Sequence, residues 1–209
     1  KAATWSSFAV GGIIYEGMKK FMSFNREMTQ SATTAGIAMG RLGTLSAGVL
    51  SISKQTGINA QDLAQTFYRV ASGTSSWNDG LGVSNQKLLD ITKQVAKLAV
   101  IGNIPAGAQT EQVGRVVMAI VNSNLKDVGL NPKKAAALVT ATTAAGDIRA
   151  ADLLSAFGRG GLVNAALNKL SGRDIGSWVD LLTLHGTSGN VAGTYVKSGM
   201  NMLFNPTSQ

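Results

Sequence analysis

The sequence predicts an all-α fold, an irregular multi-helix domain of about eight to ten helices with glycine-rich joints. Apolar residues recur at three- and four-residue intervals nearly throughout, as with Leu88, Ile91 and Val95. That spacing places them on one face of a helix. The alternation typical of strands never persists. Polar residues that can open a helix and glycines that can close one also recur between the apolar stretches.

The predicted helices follow one another along the whole chain. The first is long, from near Trp5 to Gln30, and the second covers "MGRLGTLSAGVLSISKQ". Shorter helices are predicted at about 60–71, 84–101, 109–125, 132–145, 148–157, 161–170, 173–184 and 190–204. The glycines between them lack a fixed period, so the pattern favours an irregular domain over a regular solenoid.

Several helix starts carry a recognisable capping residue. Asn59, Ser84 and Asn131 each precede an apolar-periodic run, where a side-chain oxygen can accept a hydrogen bond from a free N–H group. Pro132 would take the first helical position, where its missing N–H does no harm. Asn190 is predicted to cap the last helix.

Glycines mark the predicted helix ends, because glycine adopts the left-handed conformation that closes a helix most easily. The glycines at these positions are Gly57, Gly73, Gly102, Gly129 and Gly146. The long loop candidate runs from Gly73 to Val83. Trp77 within it is interpreted as a core anchor, and the alternative is a contact with a partner.

Composition limits the chemistry that the chain can perform. Its 209 residues contain no cysteine and one histidine, which excludes disulfides, thiol nucleophiles and Cys- or His-rich metal sites. The net charge of +8 indicates an acidic partner, such as nucleic acid, anionic lipid or an electronegative protein surface. The basic residues form no dense patch and no aromatics are interleaved with them, so sequence-specific nucleic-acid recognition is not expected.

The candidate catalytic residues favour structural roles. His185 follows a helix and precedes a glycine, which is typical of a helix end, and no G-x-S-x-G elbow is present. The stretch "GRGG", Gly158 to Gly161, lacks the spacing of a phosphate-binding loop. The scattered acids show no EF-hand pattern; they are Asp147, Asp152, Asp174 and Asp180. We expect no enzyme, no metal site and no cofactor.

The N-terminal run "FAVGGIIY", Phe8 to Tyr15, is far shorter than the roughly 20 apolar residues that cross a bilayer. It is interpreted as part of a core helix. The alternative is a membrane-active segment, "FAVGGIIYEGMKKF", with Lys19 and Lys20 at anionic headgroups.

Five motifs occur in a fixed order along the chain. They are "FNREM" (Phe24 to Met28), "ISKQTGINAQDLAQTFYRVASG", "KLLDITKQVAKLA", "LNPKKAAALVTATTAAGDIRAADLLSAFGRGG" and "GNVAGTYVKSGMNML". In this order the chain resembles the core region of phage tail tape measure proteins, the tail length determinator family, over about 24–206. The positions that match the family pattern are structural: Gly57, Leu63, Gly146, Ala192, Gly193 and Thr194. The chain departs from the pattern at "SGTSSWNDGLGV" and "VIGNIPAGAQT", which affects the local partner surface.

The closing motif is interpreted as a packing helix. Gly193 would let a neighbouring helix approach, and the Thr194 hydroxyl would donate to a carbonyl one turn earlier. One apolar side is predicted to comprise Val191, Tyr195, Val196, Met200 and Leu203.

The resemblance implies a structural component of a phage tail. Such a protein sets tail length, scaffolds polymerisation of the tail tube and takes part in DNA ejection. The implied location is the lumen or tip of the virion tail, after assembly in the host cytoplasm. The chain divides into 1–23, a helix leading into the core, and 24–206, the core helical domain; we expect it to be a fragment of a longer chain.

The resemblance also implies partners. The first is the chain itself, with a homotrimer preferred and a hexamer as the alternative. The others are tail tube proteins, tail tip or baseplate hub proteins and tail assembly chaperones, with host membrane contact on ejection as a further expectation. The second function class is a membrane-active helical protein that forms a channel in the host envelope during genome delivery.

Overall fold

The prediction of an all-α, multi-helix domain is confirmed. A computed structural model describes residues 3–75, 77, 83–101, 108–145, 150–157, 162–167 and 169–204, and these contain helices and turns but no strand. The α-helices are α1 Ala3–Thr34, α2 Leu42–Thr56, α3 Ala60–Thr74, α4 Asn85–Ile101, α5 Ala108–Asn122, α6 Pro132–Ala145, α7 Ala150–Ala156, α8 Leu162–Leu167, α9 Gly172–Leu184 and α10 Gly189–Phe204. A short 3-10 helix, Met39–Arg41, leads into α2.

Three of the predicted helix caps are present. Asn59 Oδ1 accepts a hydrogen bond from the N–H two residues on, at 3.0 Å, and Asn131 Oδ1 accepts from the two N–H groups after Pro132, at 3.0 and 3.2 Å. Ser84 Oγ accepts from the N–H three residues on, at 3.3 Å. Pro132 is the first residue of α6, as predicted. Each cap satisfies N–H groups that have no partner inside the helix.

The glycines that are predicted to end helices fall into three groups. Gly57 and Gly129 are in the left-handed region, with φ of 74° and 58°. Gly57 ends α2 as predicted, but Gly129 closes a turn seven residues after α5 has ended at Asn122. The prediction for Gly73 is wrong, because α3 continues to Thr74 and Gly73 lies inside it. A Cβ at Gly73 would stand only 3.0 Å from the Met118 side chain, so this glycine makes room for α5 instead of ending α3. Gly102 and Gly146 lie outside the described residues.

Helix α3 occupies the centre of the first half of the molecule. It packs against α1, α2, α4 and α5. Leu63, Phe67 and Val70 on this helix have no exposed surface. A helix with neighbours on several sides is apolar around much of its circumference, and α3 buries seven of its fifteen residues.

The second half of the molecule is built on α6. This helix packs against α4 and α5 on the side of the first half, and against α7 and α9 on the other. Helix α10 then lies against α7, α8 and α9. The buried apolar residues of the two halves form one continuous core.

Trp77 is half-buried and packs against this core, as the sequence interpretation favoured. Its Nε1 donates a hydrogen bond to Asn122 Oδ1 at 3.0 Å, and Asn122 Nδ2 donates to the Gly73 carbonyl at 3.0 Å. The tryptophan therefore joins the end of α3 to the end of α5. Residues 76 and 78–82 of the long loop candidate lie outside the described part of the chain.

Many threonine hydroxyl groups bond to their own helix, although Ser72 Oγ and Thr110 Oγ1 are buried without a hydrogen-bond partner among the described residues. Thr66, Thr92 and Thr142 each donate to the carbonyl four residues earlier, at 2.8 to 2.9 Å. Thr33, Thr34, Thr56, Thr140, Thr143 and Thr194 do the same. A threonine that bonds to its own helix presents mainly its methyl group to a neighbour, so these helices meet largely through apolar atoms.

Candidate functional site

The closing motif forms the contact between α10 and α7. A Cβ added at Gly193 would stand 2.6 Å from the carbonyl oxygen and 2.7 Å from the Cα of Ala156, and one added at Gly189 would collide with the backbone of Asp152. Ala192, between them, is fully buried. The two helix backbones can approach this closely only because these positions carry hydrogen or a methyl group.

The other positions that match the family pattern lie elsewhere. Gly57 ends α2, and its N–H donates to the Ser53 carbonyl at 2.9 Å. Leu63 is buried in α3, whereas Thr194 is exposed and its hydroxyl donates to the Asn190 carbonyl at 3.1 Å. Gly146 lies outside the described residues. The matched positions that the structure describes thus lie at separate places in the fold and form no single cleft.

The predicted apolar side of α10 is wrong in part. Val196 and Met200 are buried, but Val191, Tyr195 and Leu203 are exposed. Helical geometry explains the division, because residues 189, 192, 193, 196 and 200 share the face that meets α7. The sequence shows two apolar faces on this helix, and only the packing of α7 to α9 determines which of them is covered.

The exposed face of α10 carries Val191, Tyr195 and Met202, which lie within about 40° of one another around the helix axis. The end of α9 adds Leu181 and Leu184, both more than half exposed. We call these five side chains the α9–α10 surface. An array of exposed apolar side chains on neighbouring helices is typical of an interaction site.

His185 ends α9. Its Nδ1 lies 2.7 Å from the Leu181 carbonyl, and Gly186 follows with a φ of 84°. The exposed imidazole therefore closes the helix, as the sequence indicated. Asn190 is not the cap of the next helix. Helix α10 begins one residue earlier, at Gly189, and the Ala192 N–H donates to the Ser188 carbonyl at 2.8 Å.

Asp174 belongs to a capping box at the start of α9. Its N–H donates to Ser171 Oγ at 3.1 Å, and its carboxylate accepts from the Ser171 hydroxyl at 2.7 Å and the Ser171 N–H at 3.1 Å. Hydrogen bonds from the Ser171 side chain and backbone hold the pKa of Asp174 below its ordinary value of 3.8. The Asp174 carboxylate therefore stabilises the first turn of α9.

Ser171→Ala should lower the free energy of unfolding by about 1 kcal/mol at pH 7. A lowered folded-state pKa stabilises the fold above the unfolded-state value of about 4, and this contribution is lost as the pH falls through the folded pKa. The difference between wild type and variant should therefore narrow below pH 4. Urea unfolding at pH 7 and pH 3 measures this difference in the free energy of unfolding. Ser171→Thr is the control, because it keeps the hydroxyl group. An unchanged difference at pH 3 would show that the Asp174 carboxylate contributes nothing.

The remaining candidate residues do not come together in the part of the chain that is described. No three His, Asp or Glu side chains among those residues are grouped to hold a metal ion. Asp152 lies on α7, and Asp180 lies on α9 with one carboxylate oxygen buried and unpaired. Asp147 and the stretch Gly158 to Gly161 are outside the description.

The first helix carries a second exposed apolar surface. Residues 17–22 are all exposed, including Met18, Phe21 and Met22, and burial begins only at Phe24. The change occurs inside the continuous helix α1. None of the rest of the described chain therefore covers residues 17–22 of α1. We call Met18, Phe21 and Met22, with Lys19 and Lys20, the α1 projection. No described helix is long and apolar enough to span a membrane.

This fold and these surfaces define an all-α packing domain with apolar side chains exposed on two separate sides. A family model described as phage-related minor tail protein matches residues 46–209, more than three quarters of the chain. The chain belongs to this family, which gives it a structural role in a phage tail. No curated protein and no solved structure matches the chain.

Proposed function

We propose that the chain is the compact helical core of a tape measure protein, which sets tail length, scaffolds the tail tube and takes part in DNA ejection. The observation that carries the proposal is the ordered set of five motifs over 24–206, most of which lies within the matched family segment. As one straight helix, 209 residues would span roughly 310 Å. The chain is instead divided into many helices that fold back on one another, which supports a compact part of such a protein.

The two exposed apolar surfaces support a role in assembly. The α1 projection and the α9–α10 surface lie on helices that pack against different parts of the core. Two separate apolar surfaces can bind two partners at once, which an assembly scaffold requires. The partners that we propose are further copies of the chain, preferably in a trimer and otherwise in a hexamer, together with tube, tip or hub proteins and the assembly chaperones.

Deletion of these 209 residues in a phage that encodes the chain tests the proposal. We expect electron micrographs to show either no tails or tails without a uniform length. The control carries Gly199→Ala, a change into open space on α10 that should leave tail length unaltered. Tails of normal, uniform length without the segment would contradict the tape measure role.

A second candidate, a membrane-active protein that forms a channel in the host envelope, rests on the α1 projection. Exposed methionine and phenylalanine beside Lys19 and Lys20 suit insertion at an anionic membrane surface. Dye release from liposomes containing anionic lipid separates the two candidates. Release that depends on Phe21, and normal tails that fail to deliver DNA when Phe21 is replaced by Asp, would favour the channel.

A further inference from the structure

Helices α4 and α6 carry an unbalanced set of charges. They pack against each other, and their charged residues are five lysines and one aspartate. These are Lys87, Asp90, Lys93, Lys97, Lys133 and Lys134. All five lysines are at least partly exposed, and no ion pair joins any of them to the described residues. The excess on these two helices is half of the net charge of the chain.

A cleft of about 390 Å³ lies where α4 and α6 begin. Ile91, Leu130 and Pro132 supply its apolar lining, and Lys87 and Lys133 stand beside them. Leu130 is 57% exposed although it adjoins the buried Ile91 and Pro132. The cleft therefore combines an apolar floor with a cationic rim.

The same exposed side of α4 continues away from the cleft. Around the helix axis Ile101, which is 69% exposed, lies within about 40° of Lys87, and the exposed Lys97 lies within about 80° of it. The side of α4 that begins with Lys87 at the cleft thus ends at an exposed apolar residue, over a helix of 17 residues and about 25 Å. We call the cleft and this side of α4 the α4–α6 groove.

We propose that the α4–α6 groove binds an acidic amphipathic helix of a partner protein. Carboxylates of such a helix would face the lysines, and its apolar side chains would enter between Ile91 and Leu130. A protein segment fits better than a nucleic acid. The apolar floor of the cleft gives phosphate groups nothing to bind, whereas it can bury the apolar side chains of an amphipathic helix. Asp90 in the middle of the groove repels phosphates and carboxylates alike and does not distinguish the two.

The inference does not depend on the tape measure proposal, because it concerns a binding surface and not tail length.

The probe is a fluorescent 18-residue synthetic peptide with leucines at three- and four-residue spacing and glutamates elsewhere. We expect saturable binding to the 209-residue chain that weakens as the salt concentration rises. The double variant Lys87→Glu with Lys133→Glu should raise the Kd at least about tenfold.

Both substitutions place an acid in the first turn of a helix, where it favours the helix dipole, although Lys87→Glu also removes the contact of Lys87 Nζ with the Trp77 ring at 5.8 Å. The circular dichroism spectrum and melting temperature of the double variant show whether it remains folded. Lys197→Glu on α10 is the control for net charge. It makes the same change of charge as each single substitution in the groove, half that of the double variant, and it should leave the Kd within about twofold. Leu130→Ser should weaken binding without altering its salt dependence, which tests the apolar floor separately.

Three results would overturn the inference. One is absence of binding by the acidic peptide. Another is equal weakening by Lys197→Glu, which would mean that net charge alone attracts the peptide. The third is competition by an 18-base-pair DNA duplex at equal or lower concentration, which would make the groove a nucleic-acid site. These three binding results do not depend on the tail length seen in the deletion experiment. The groove proposal and the tape measure proposal can therefore fail independently.

Discussion

Phe67→Ala should lower the free energy of unfolding by about 3 to 5 kcal/mol, the range for truncation of a buried aromatic side chain. Phe67 is fully buried at the centre of α3, which packs against four other helices. The neighbours belong to several elements and cannot all move inward together, so we expect a cavity to remain. Urea denaturation followed by circular dichroism at 222 nm measures the loss.

Phe21→Ala is the matched control for this prediction. Phe21 is 57% exposed in the α1 projection, and its truncation should change the free energy of unfolding by less than about 0.5 kcal/mol. A loss of 2 kcal/mol or more at Phe21 would mean that another part of the chain covers α1. A small loss at Phe67 would contradict the central position of α3 in the core.

Gly193→Ala should lower the free energy of unfolding by about 2 to 3 kcal/mol although it adds only one methyl group. The new Cβ would meet the backbone of Ala156, which cannot rotate away as a flexible side chain could. Helix α10 must therefore move away from α7, and the contacts of the buried Ala192 with it would weaken. Thermal and urea unfolding of the 209-residue chain give the change.

Gly199→Ala, six residues further along α10, separates packing from helix propensity. Nothing lies within 4 Å of a Cβ at this position, so alanine should stabilise the helix by up to about 1 kcal/mol. If Gly193→Ala lowers the free energy of unfolding and Gly199→Ala raises it, the close contact between α7 and α10 is the cause of the loss at Gly193. Stabilisation by both would show that the helices are not in close contact at Gly193.

Much of this fold could be predicted because its helices carry their own boundary signals. The caps at Asn59, Ser84 and Asn131 act through hydrogen bonds to N–H groups two or three residues away, so the sequence alone specifies them. Gly57 is similar, because a left-handed residue ends a helix whatever surrounds it.

Features that depend on distant residues could not be predicted in this way. The sequence predicts that Gly73 ends α3, but this glycine makes room for Met118, a residue 45 positions later. The sequence places Val191 and Tyr195 on the same apolar side as Val196, and only the position of α7 distinguishes the exposed residues from the buried one. The α4–α6 groove was also missed, because its lysines are unremarkable until two helices far apart in sequence are brought together.

The hydroxyl groups that bond within their own helices affect how the molecule responds to a pulling force. When two helices slide apart, Thr66, Thr92 and Thr142 keep their hydrogen bonds, and the contacts that are lost are mostly dispersion forces between apolar atoms. Such contacts are individually weak and break one after another. Tension applied along the chain would therefore separate the helices one at a time. Most of them have 17 residues or fewer and would unwind once they had lost the packing that stabilises them.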